Sequence, residues 1–434
     1  MRLNLETFLS FGRKIIPKKL FRTGQPIYHW LLSFLAAVIY RFPSRKIFIV
    51  GVTGTKGKTT TIEIINAIME EAGYKTALTS SLRFKVGKMS EKNKRKMTMP
   101  GRFFMQRFLR KAVKEKCQYA ILELSSEGTV QFRHKFIRFN ALIFTNLAPE
   151  HIESHGSFEK YREAKLKFFK ALEKSPVKRK IIVANEDDPN APFFLNFNID
   201  EKIKYGKKDV SSFTLKRKGI EFTMDGINIK SKLSGEFNLY NILAAIAFVK
   251  SQNIGMDTIK SAIEKFSGIE GRMEKIELEQ TDPLHGKQDF NVIVDYAHTP
   301  DSLEKVYETF QTSRKICVIG SAGGGRDKWK RPELGKIASK HCDHVIITSE
   351  DPYDENPEDI AKDIIEGIGR PIYEKIMDRR EAISKAVSLA KTGDTVIITG
   401  KGAEPWMMGP KGTKIKWDDR EVAREELRKI LAKK

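Results

Sequence analysis

The sequence predicts an α/β protein built on mostly parallel sheets. Three observations predict it. Short apolar runs alternate with helical patterns along most of the chain, the rhythm of a doubly wound sheet. That rhythm occurs twice, before and after a Gly268-Ile-Glu-Gly-Arg272 turn. A glycine-rich turn joins the first apolar run to an amphipathic helix, as in a P-loop domain. With 434 residues, the chain has room for about three domains.

The elements follow in order. Residues 1–26 are basic, with Arg2, Arg13, Lys14, Lys18, Lys19 and Arg22. An apolar run, Ile27–Tyr40, ends at Arg41. It is shorter than the about 20 apolar residues a spanning helix needs, and no small-residue cleavage site follows it. The pattern fits a helix packed on the next domain or at a dimer interface. It also fits a basic, Trp-bearing helix lying on an anionic membrane through residues 1–42. Residues 1–45 therefore form a basic and apolar N-terminal helical segment. Lys46–Gly51 reads as a strand, followed by a Gly/Thr loop and a helix ending near Gly73. Further strand runs lie at 119–124, 141–145 and 180–184, and residues 213–232 read as a small antiparallel insertion. The turn at 268–272 closes a central domain, 46–272. The C-terminal domain, 273–434, reads as Rossmann-like. Its strands are Val292–Tyr296, Lys315–Gly320, His344–Ser349 and Thr395–Thr399. Its helices lie near 300–312, 332–341, 356–369, 379–391 and 419–433.

Composition narrows the class. Apolar residues are 40% and charged residues 31%, which suits a globular chain rather than a disordered one. Lys plus Arg is 78 and Asp plus Glu 55, a formal charge of +23. Such a charge attracts polyanions: nucleic acid, anionic membranes or phosphorylated substrates. It equally describes a solvated basic surface. The cysteines Cys117, Cys317 and Cys342 make no CxxC and no even set, which predicts a reducing compartment without a structural zinc site.

The sharpest local signal is Gly51-Val-Thr-Gly-Thr-Lys-Gly-Lys-Thr-Thr60. Backbone N–H groups in such a loop cradle phosphates, and the helix N-terminus favours negative charge. Lys58 can reach the terminal phosphates and the Thr59 hydroxyl can bind Mg²⁺. The spacing departs from GxxxxGK[ST], because the leading glycine sits at 51 rather than 52.

Gly54-Thr-Lys-Gly-Lys-Thr-Thr60 resembles the signature loop of the Mur ligase family. Further matches follow in family order. They are Asn146-Leu-Ala-Pro-Glu-His-Ile-Glu-Ser-His-Gly156, Tyr161-Arg-Glu-Ala-Lys-Leu-Lys-Phe-Phe169, Gly235-Glu-Phe-Asn-Leu-Tyr-Asn241 and Gly271-Arg-Met-Glu274. Asp295-Tyr-Ala-His-Thr-Pro300, Gly323-Gly-Gly-Arg-Asp-Lys328, Thr348-Ser-Glu-Asp-Pro352 and Gly400-Lys-Gly-Ala-Glu404 are similar to the MurE type. The resemblance spans about residues 46–434. It implies an ATP-dependent amide ligase that phosphorylates a muramyl-peptide carboxylate and lets an amino acid attack the acyl phosphate, in peptidoglycan precursor synthesis.

The same resemblance implies the site. Gly54, Thr55, Gly57, Lys58, Thr59 and Thr60 would hold the ATP phosphates. Asn238 and Asn241 would lie on the adenine side, Arg272 at the γ-phosphate, and Asp295 at the ribose with His298 beside it. Two Mg²⁺ ions are implied, one on Thr59 and one on Glu123 and His151. Lys165 matches a lysine that the family carbamylates, which would support the second ion. Thr98, Ser125, Gln131 and Arg133 match residues that contact the sugar-peptide. Arg326 matches the arginine of the incoming carboxylate, and Glu350, Asp351, Gly400 and Glu404 complete the amino-acid side.

Departures mark the substrate. Glu127 replaces the histidine of SSH, Tyr353 the arginine of DNPR, and Ala403 the histidine of GKGHE. A tyrosine cannot clamp a carboxylate bidentately, so lysine or another diamine is expected rather than diaminopimelate. About 45 residues precede the first strand, where the family carries a uridine-nucleotide domain of roughly 100. That leaves a nucleotide-linked or a lipid-linked muramyl acceptor open. Alternatives are a polyglutamate-adding ligase and, in another class, a basic nucleic-acid-dependent P-loop ATPase. The latter lacks a nucleic-acid-binding module, so no nucleic acid is expected as a partner. The expected setting is the cytoplasm, with the inner face of the membrane as its variant.

Overall fold

The computed structural model describes residues 18–95, 97–150, 152–216, 219–369 and 373–433. Helix α1 (Lys18–Ile39) is the first element among the described residues. It stops where Arg41 and Phe42 turn left-handed, with φ 58° and 46°, ahead of Pro43. No helix among the described residues is long and apolar enough to cross a membrane.

The central sheet has eight strands. In chain order they are β1 (Phe48–Thr53), β2 (Thr76–Thr79), β3 (Arg83–Val86), β4 (Met89–Lys92), β5 (Tyr119–Glu123), β6 (Ala141–Phe144), β7 (Ile181–Asn185) and β8 (Glu201–Tyr205). Their spatial order is β4-β3-β2-β5-β1-β6-β7-β8. All neighbouring pairs are parallel except β2–β3 and β3–β4, because β3 alone runs in the reverse direction. Strand β1 therefore lies between β5 and β6, with Val52 beside Glu123 and Thr53 beside Phe144. Strand residues alternate between faces. Val50 and Val52 join a core with Ile62, Ile65, Leu243 and Ile246. Ile49 joins another with Phe108, Leu109, Phe168 and Phe169. Those helical residues belong to α2 (Lys58–Glu71), α3 (Arg102–Lys114), α6 (Phe158–Glu173) and α8 (Glu236–Lys250); the short α4 (Ser126–Val130), α5 (Ile152–His155) and α7 (Ala191–Leu195) lie between them in the chain. A three-stranded antiparallel sheet, β9 (Ser212–Lys216), β10 (Gly219–Met224) and β11 (Ile227–Ser231), forms the expected insertion. Helix α9 (Met256–Lys265) closes the central region.

The second sheet runs β12-β13-β17-β14-β15-β16. Its strands are β12 (Glu274–Lys275), β13 (Asn291–Asp295), β14 (Lys315–Ile319), β15 (His344–Ile347), β16 (Tyr373–Lys375) and β17 (Thr395–Thr399). All but β12 are parallel. Helices α10 (Pro300–Glu308), α11 (Lys330–His341), α12 (Pro357–Ile365), α13 (Arg379–Leu389) and α14 (Asp419–Leu431) cover both faces. A hairpin of β18 (Trp406–Met408) and β19 (Lys414–Lys416) sits outside. Both large sheets are thus α/β, as the alternation predicts.

The cysteine expectation is corrected. Cys317 and Cys342 form a disulfide across a Cα–Cα distance of 6.2 Å, and Cys117 alone is free. The two are 25 residues apart in sequence, but β14 and the end of α11 meet on one sheet face. The cysteine pattern therefore gives no support to a reducing compartment.

Candidate active site

Ligands in open parallel sheets bind beyond the carboxyl ends of the strands, where strand order reverses. Here the carboxyl ends of β1, β5 and β6 face those of β13, β14, β15 and β17 across a cavity of about 580 Å³. Thr55–Thr60, Thr98, Glu123, Ser125, Arg133, Asn238, Asn241, Arg272, Asp295 and His298 line it, with Arg326, Glu350, Asp351, Gly400 and Glu404 on the far wall. Gly54, Gln131 and Lys165 stand behind the wall, and His151 lies outside the described residues.

The loop after β1 is shaped from several sides. Helix α2 starts on Gly57, whose φ is 82°. A Cβ there would lie 2.1 Å from Asn241 Oδ1 of α8, so the left-handed backbone and this close approach together favour glycine at this point. Asn146 accepts from Lys56 N at 2.9 Å and donates to Lys56 O at 3.1 Å, which pins the loop to the end of β6. Lys56 Nζ pairs with Glu150 at 3.0 Å. Lys58 Nζ donates to Gly54 O at 3.0 Å and Thr55 O at 2.8 Å. Burial lowers its pKa, against the pull of Glu123 and Glu150.

Thr59 Oγ1 donates to Glu123 Oε2 at 2.9 Å and lies 2.9 Å from Ser81 Oγ. Glu123 also accepts from Ser81 N at 2.8 Å. This is a cluster of hard oxygen donors beside the phosphate loop. Lys165 Nζ, fully buried on α6, donates to Gly54 O at 2.8 Å. Burial and then the neighbouring Lys58 hold its pKa well below the usual lysine range. Thr60 is buried in the first turn of α2.

Asn238 and Asn241 bond each other at 3.0 Å in α8. From the second sheet, Asp295 closes β13 and accepts from Met273 N at 2.7 Å and Ala297 N at 2.6 Å. Burial raises its pKa, while Arg272 works against that rise. The Arg272 guanidinium sits 4.2 Å over the Tyr296 ring. His298 Nε2 lies 3.4 Å from Glu150. Burial and Lys56 lower its pKa to about 3, so the imidazole is neutral near pH 7.

On the acceptor side, Ser125 caps α4 at Gly128 N. Arg133 is buried and donates to Met99 O. Gln131 braces it, accepting from Arg133 Nη2 at 2.7 Å. Glu127 lies on the cavity rim. On the amino-acid side, Lys401 is fully buried and donates to Asp351 at 2.8 Å and Glu404 at 2.6 Å. Glu350 Oε2 is buried without a hydrogen-bond partner, and burial raises the carboxyl pKa. A Cβ on Gly400, φ 109°, would lie 2.3 Å from that oxygen. Arg326 approaches the Tyr353 ring at 6.0 Å, and Tyr353 is left-handed at φ 53°.

Sequence reasoning gave no role to Ser81, Lys56, Glu150, Lys330, Tyr296 or Lys401, all of which build this site. Lys56, Glu150, Tyr296 and Lys401 lie inside the quoted motifs, and that was their only signal. Ser81 follows β2 on a bend and carries none.

Two known domain families match the chain: the Mur ligase middle domain over residues 52–249 and the Mur ligase glutamate ligase domain over residues 271–402. A UDP-N-acetylmuramoyl-L-alanyl-D-glutamate–2,6-diaminopimelate ligase of Syntrophomonas wolfei subsp. wolfei is 39% identical over 414 residues. That alignment covers 92% of this chain and 81% of the relative. The Bacillus cereus enzyme of the same name is 35% identical over 410 residues, covering 91% and 81%. A solved structure with that ligase name superposes with a TM-score of 0.59 at 29% identity, over 88% of this chain and 78% of the other. The MurF ligase of Thermotoga maritima in complex with ADP shares the fold, with a TM-score of 0.66 at 19% identity over 92% and 84%.

Proposed function

The chain belongs to the Mur ligase family, and from that membership we propose that it is an ATP-dependent amide ligase joining an amino acid to a muramyl-peptide carboxylate. The observation that carries this reading is one cavity holding both the phosphate loop and the Arg326–Glu350–Asp351–Glu404 wall. The reading divides the chain at 45/46 and 272/273, with the nucleotide held by both larger parts.

The acceptor carboxylate attacks the γ-phosphorus of ATP, the bond to the bridging oxygen breaks, and ADP leaves. The amino group then attacks the acyl carbon, phosphate leaves, and the nitrogen loses a proton. Negative charge on the transferring phosphoryl group needs cations in place beforehand. Lys58 and Arg272 supply them from opposite sides of the cavity. Asn238, Asn241, Asp295 and His298 orient the nucleoside. Thr98, Ser125, Gln131 and Arg133 orient the acceptor.

The oxygen cluster fits magnesium, which prefers hard oxygen ligands. Thr59 would hold one ion; Glu123, with carbamylated Lys165, would hold a second, and bound Mg²⁺ would neutralise phosphate charge. The second ligand expected there, His151, lies outside the described residues. An amine must be neutral to take up carbon dioxide, and the lowered pKa of Lys165 supports that modification.

The incoming amino acid is read as a diamine, lysine ahead of diaminopimelate. The unpartnered Glu350 oxygen invites a distal ammonium. Tyr353 offers no fork for a distal carboxylate. ATP supply puts the reaction on the cytoplasmic side.

The test is product mass with ATP, Mg²⁺, UDP-MurNAc-L-Ala-D-Glu and a panel of amino acids, with Lys58→Ala as control. A product heavier by one lysine residue supports the reading in full. Turnover with diaminopimelate and none with lysine removes the lysine assignment. Absence of any product, with nucleotide binding intact, removes this acceptor.

A further inference from the structure

Helix α1 is amphipathic in an unusual sense. Its inward face is small: Ser33, Ala36 and Ala37 are buried. Ser33 Oγ donates to Phe132 O at 2.9 Å. Its outward face is large and apolar. Ile27 is 65% exposed, Leu31 53%, Leu35 48% and Ile39 55%, with Trp30, Phe34 and Val38 alongside. The spacing 27, 31, 34, 38 follows one helical stripe. Trp30 stacks on Phe34 at 5.5 Å, and both meet the Phe136 ring edge-on. The aromatic side chains are thus fixed in an outward row.

At the carboxyl end of this stripe lies a recess of about 460 Å³ between α1 and α3. Ile39 and Tyr40 join it to the stripe, and its other walls are Arg41, Arg107, Arg110, Lys111 and Lys114. No acid lines it, and none of these five cations pairs with a carboxylate among the described residues.

We propose that the outward face of α1 and this basic recess together dock on an anionic phospholipid membrane. The stripe would enter the acyl boundary while the recess takes headgroup phosphates, the two components of interfacial helix binding. Charge complementarity favours a membrane over a second copy of this chain: a second copy could cover the apolar stripe but offers the basic recess no anionic partner from its own matching face, whereas an anionic bilayer matches both. The face is also wired to the cavity. Arg102 of α3 contacts His29 of α1 and donates to Gln131 O at 2.8 Å, and Gln131 braces Arg133 on the acceptor wall. This inference stands independently of the ligase reading.

The test is vesicle flotation of the full chain at about 0.1 M salt, a Debye length of about 10 Å. Vesicles of phosphatidylglycerol and phosphatidylcholine are compared with phosphatidylcholine alone. The expected result is flotation with the anionic vesicles and at least tenfold weaker partitioning onto the neutral ones. Leu31→Glu with Leu35→Glu lowers partitioning at least tenfold, with the thermal melt and ADP binding retained. Each of Arg107→Ala, Arg110→Ala and Lys111→Ala lowers it by about fivefold. Wild-type protein left unbound by anionic vesicles overturns the proposal, whatever the variants do. So does a wild-type dimer in sedimentation that the paired glutamates dissociate without changing vesicle binding, which would assign the face to a second copy.

Discussion

Gly400 leaves the end of β17 with a φ of 109° and passes 2.3 Å, measured from its would-be Cβ, from a Glu350 oxygen that has no partner. Gly400→Ala therefore strains the backbone and displaces the carboxylate together. Steady-state kinetics should show the KM for the amino acid rising about tenfold or more, with a smaller change for ATP. His134 offers a pH test away from the phosphate loop. It is buried against Phe168, and burial lowers its pKa from 6.5 to about 4. Below pH 6.5 the unfolded chain takes up this proton and the folded chain does not, so stability falls as pH drops toward 4. The contribution, up to about 3 kcal/mol, is fully present above pH 6.5. Denaturant melts of His134→Leu should show a flatter dependence in that window. Among single residues, Lys58 and Thr59 were legible because chemistry and position share one short loop. The Lys401 bridge to Asp351 and Glu404 was not, because strand ends 50 residues apart meet only in the fold.

Elements tell a similar story. Strands buried on both faces, such as β1, β7 and β17, read directly as apolar runs. The edge strand β4 is exposed throughout and carries Met-Ser-Glu-Lys, so its sequence gives no strand signal. The sequence pattern likewise left β2, β3, β8 and the β18–β19 hairpin unmarked, since short or half-polar strands owe their pairing to neighbours. Helices α13 and α14 are joined by a fully buried ion pair. Arg379 meets Asp419 at 2.8 and 2.6 Å and also holds Thr399 O at the end of β17. Arg379→Ala leaves a buried carboxylate alone, and chemical denaturation should report a loss of about 3–5 kcal/mol. The paired change to Met and Leu should lose less.

Across the whole molecule, the proposed nucleotide site is assembled from two sheets. Glu153 N donates to Asp327 at 3.1 Å and Lys328 N donates to Glu153 at 3.0 Å, tying the regions together beside the cavity. A ligand held by both halves should stabilise both. With ATP and Mg²⁺ at 100 times the dissociation constant, unfolding should shift by about 2.7 kcal/mol. Lys58→Ala should lose most of that shift while keeping the ligand-free melt. Limited proteolysis should slow at residues 268–274 in the same comparison.

The ammonium of Lys58 rests on two carbonyls of its own loop. On the proposed reading, nucleotide binding is a trade of partners: the phosphates would replace the Gly54 and Thr55 carbonyls around a cation already satisfied. On that reading the same arrangement would act in reverse at the end of each turnover. As ADP loosened, the carbonyls of Gly54 and Thr55 would reclaim the lysine, and departure would begin without an exposed, unpaired charge.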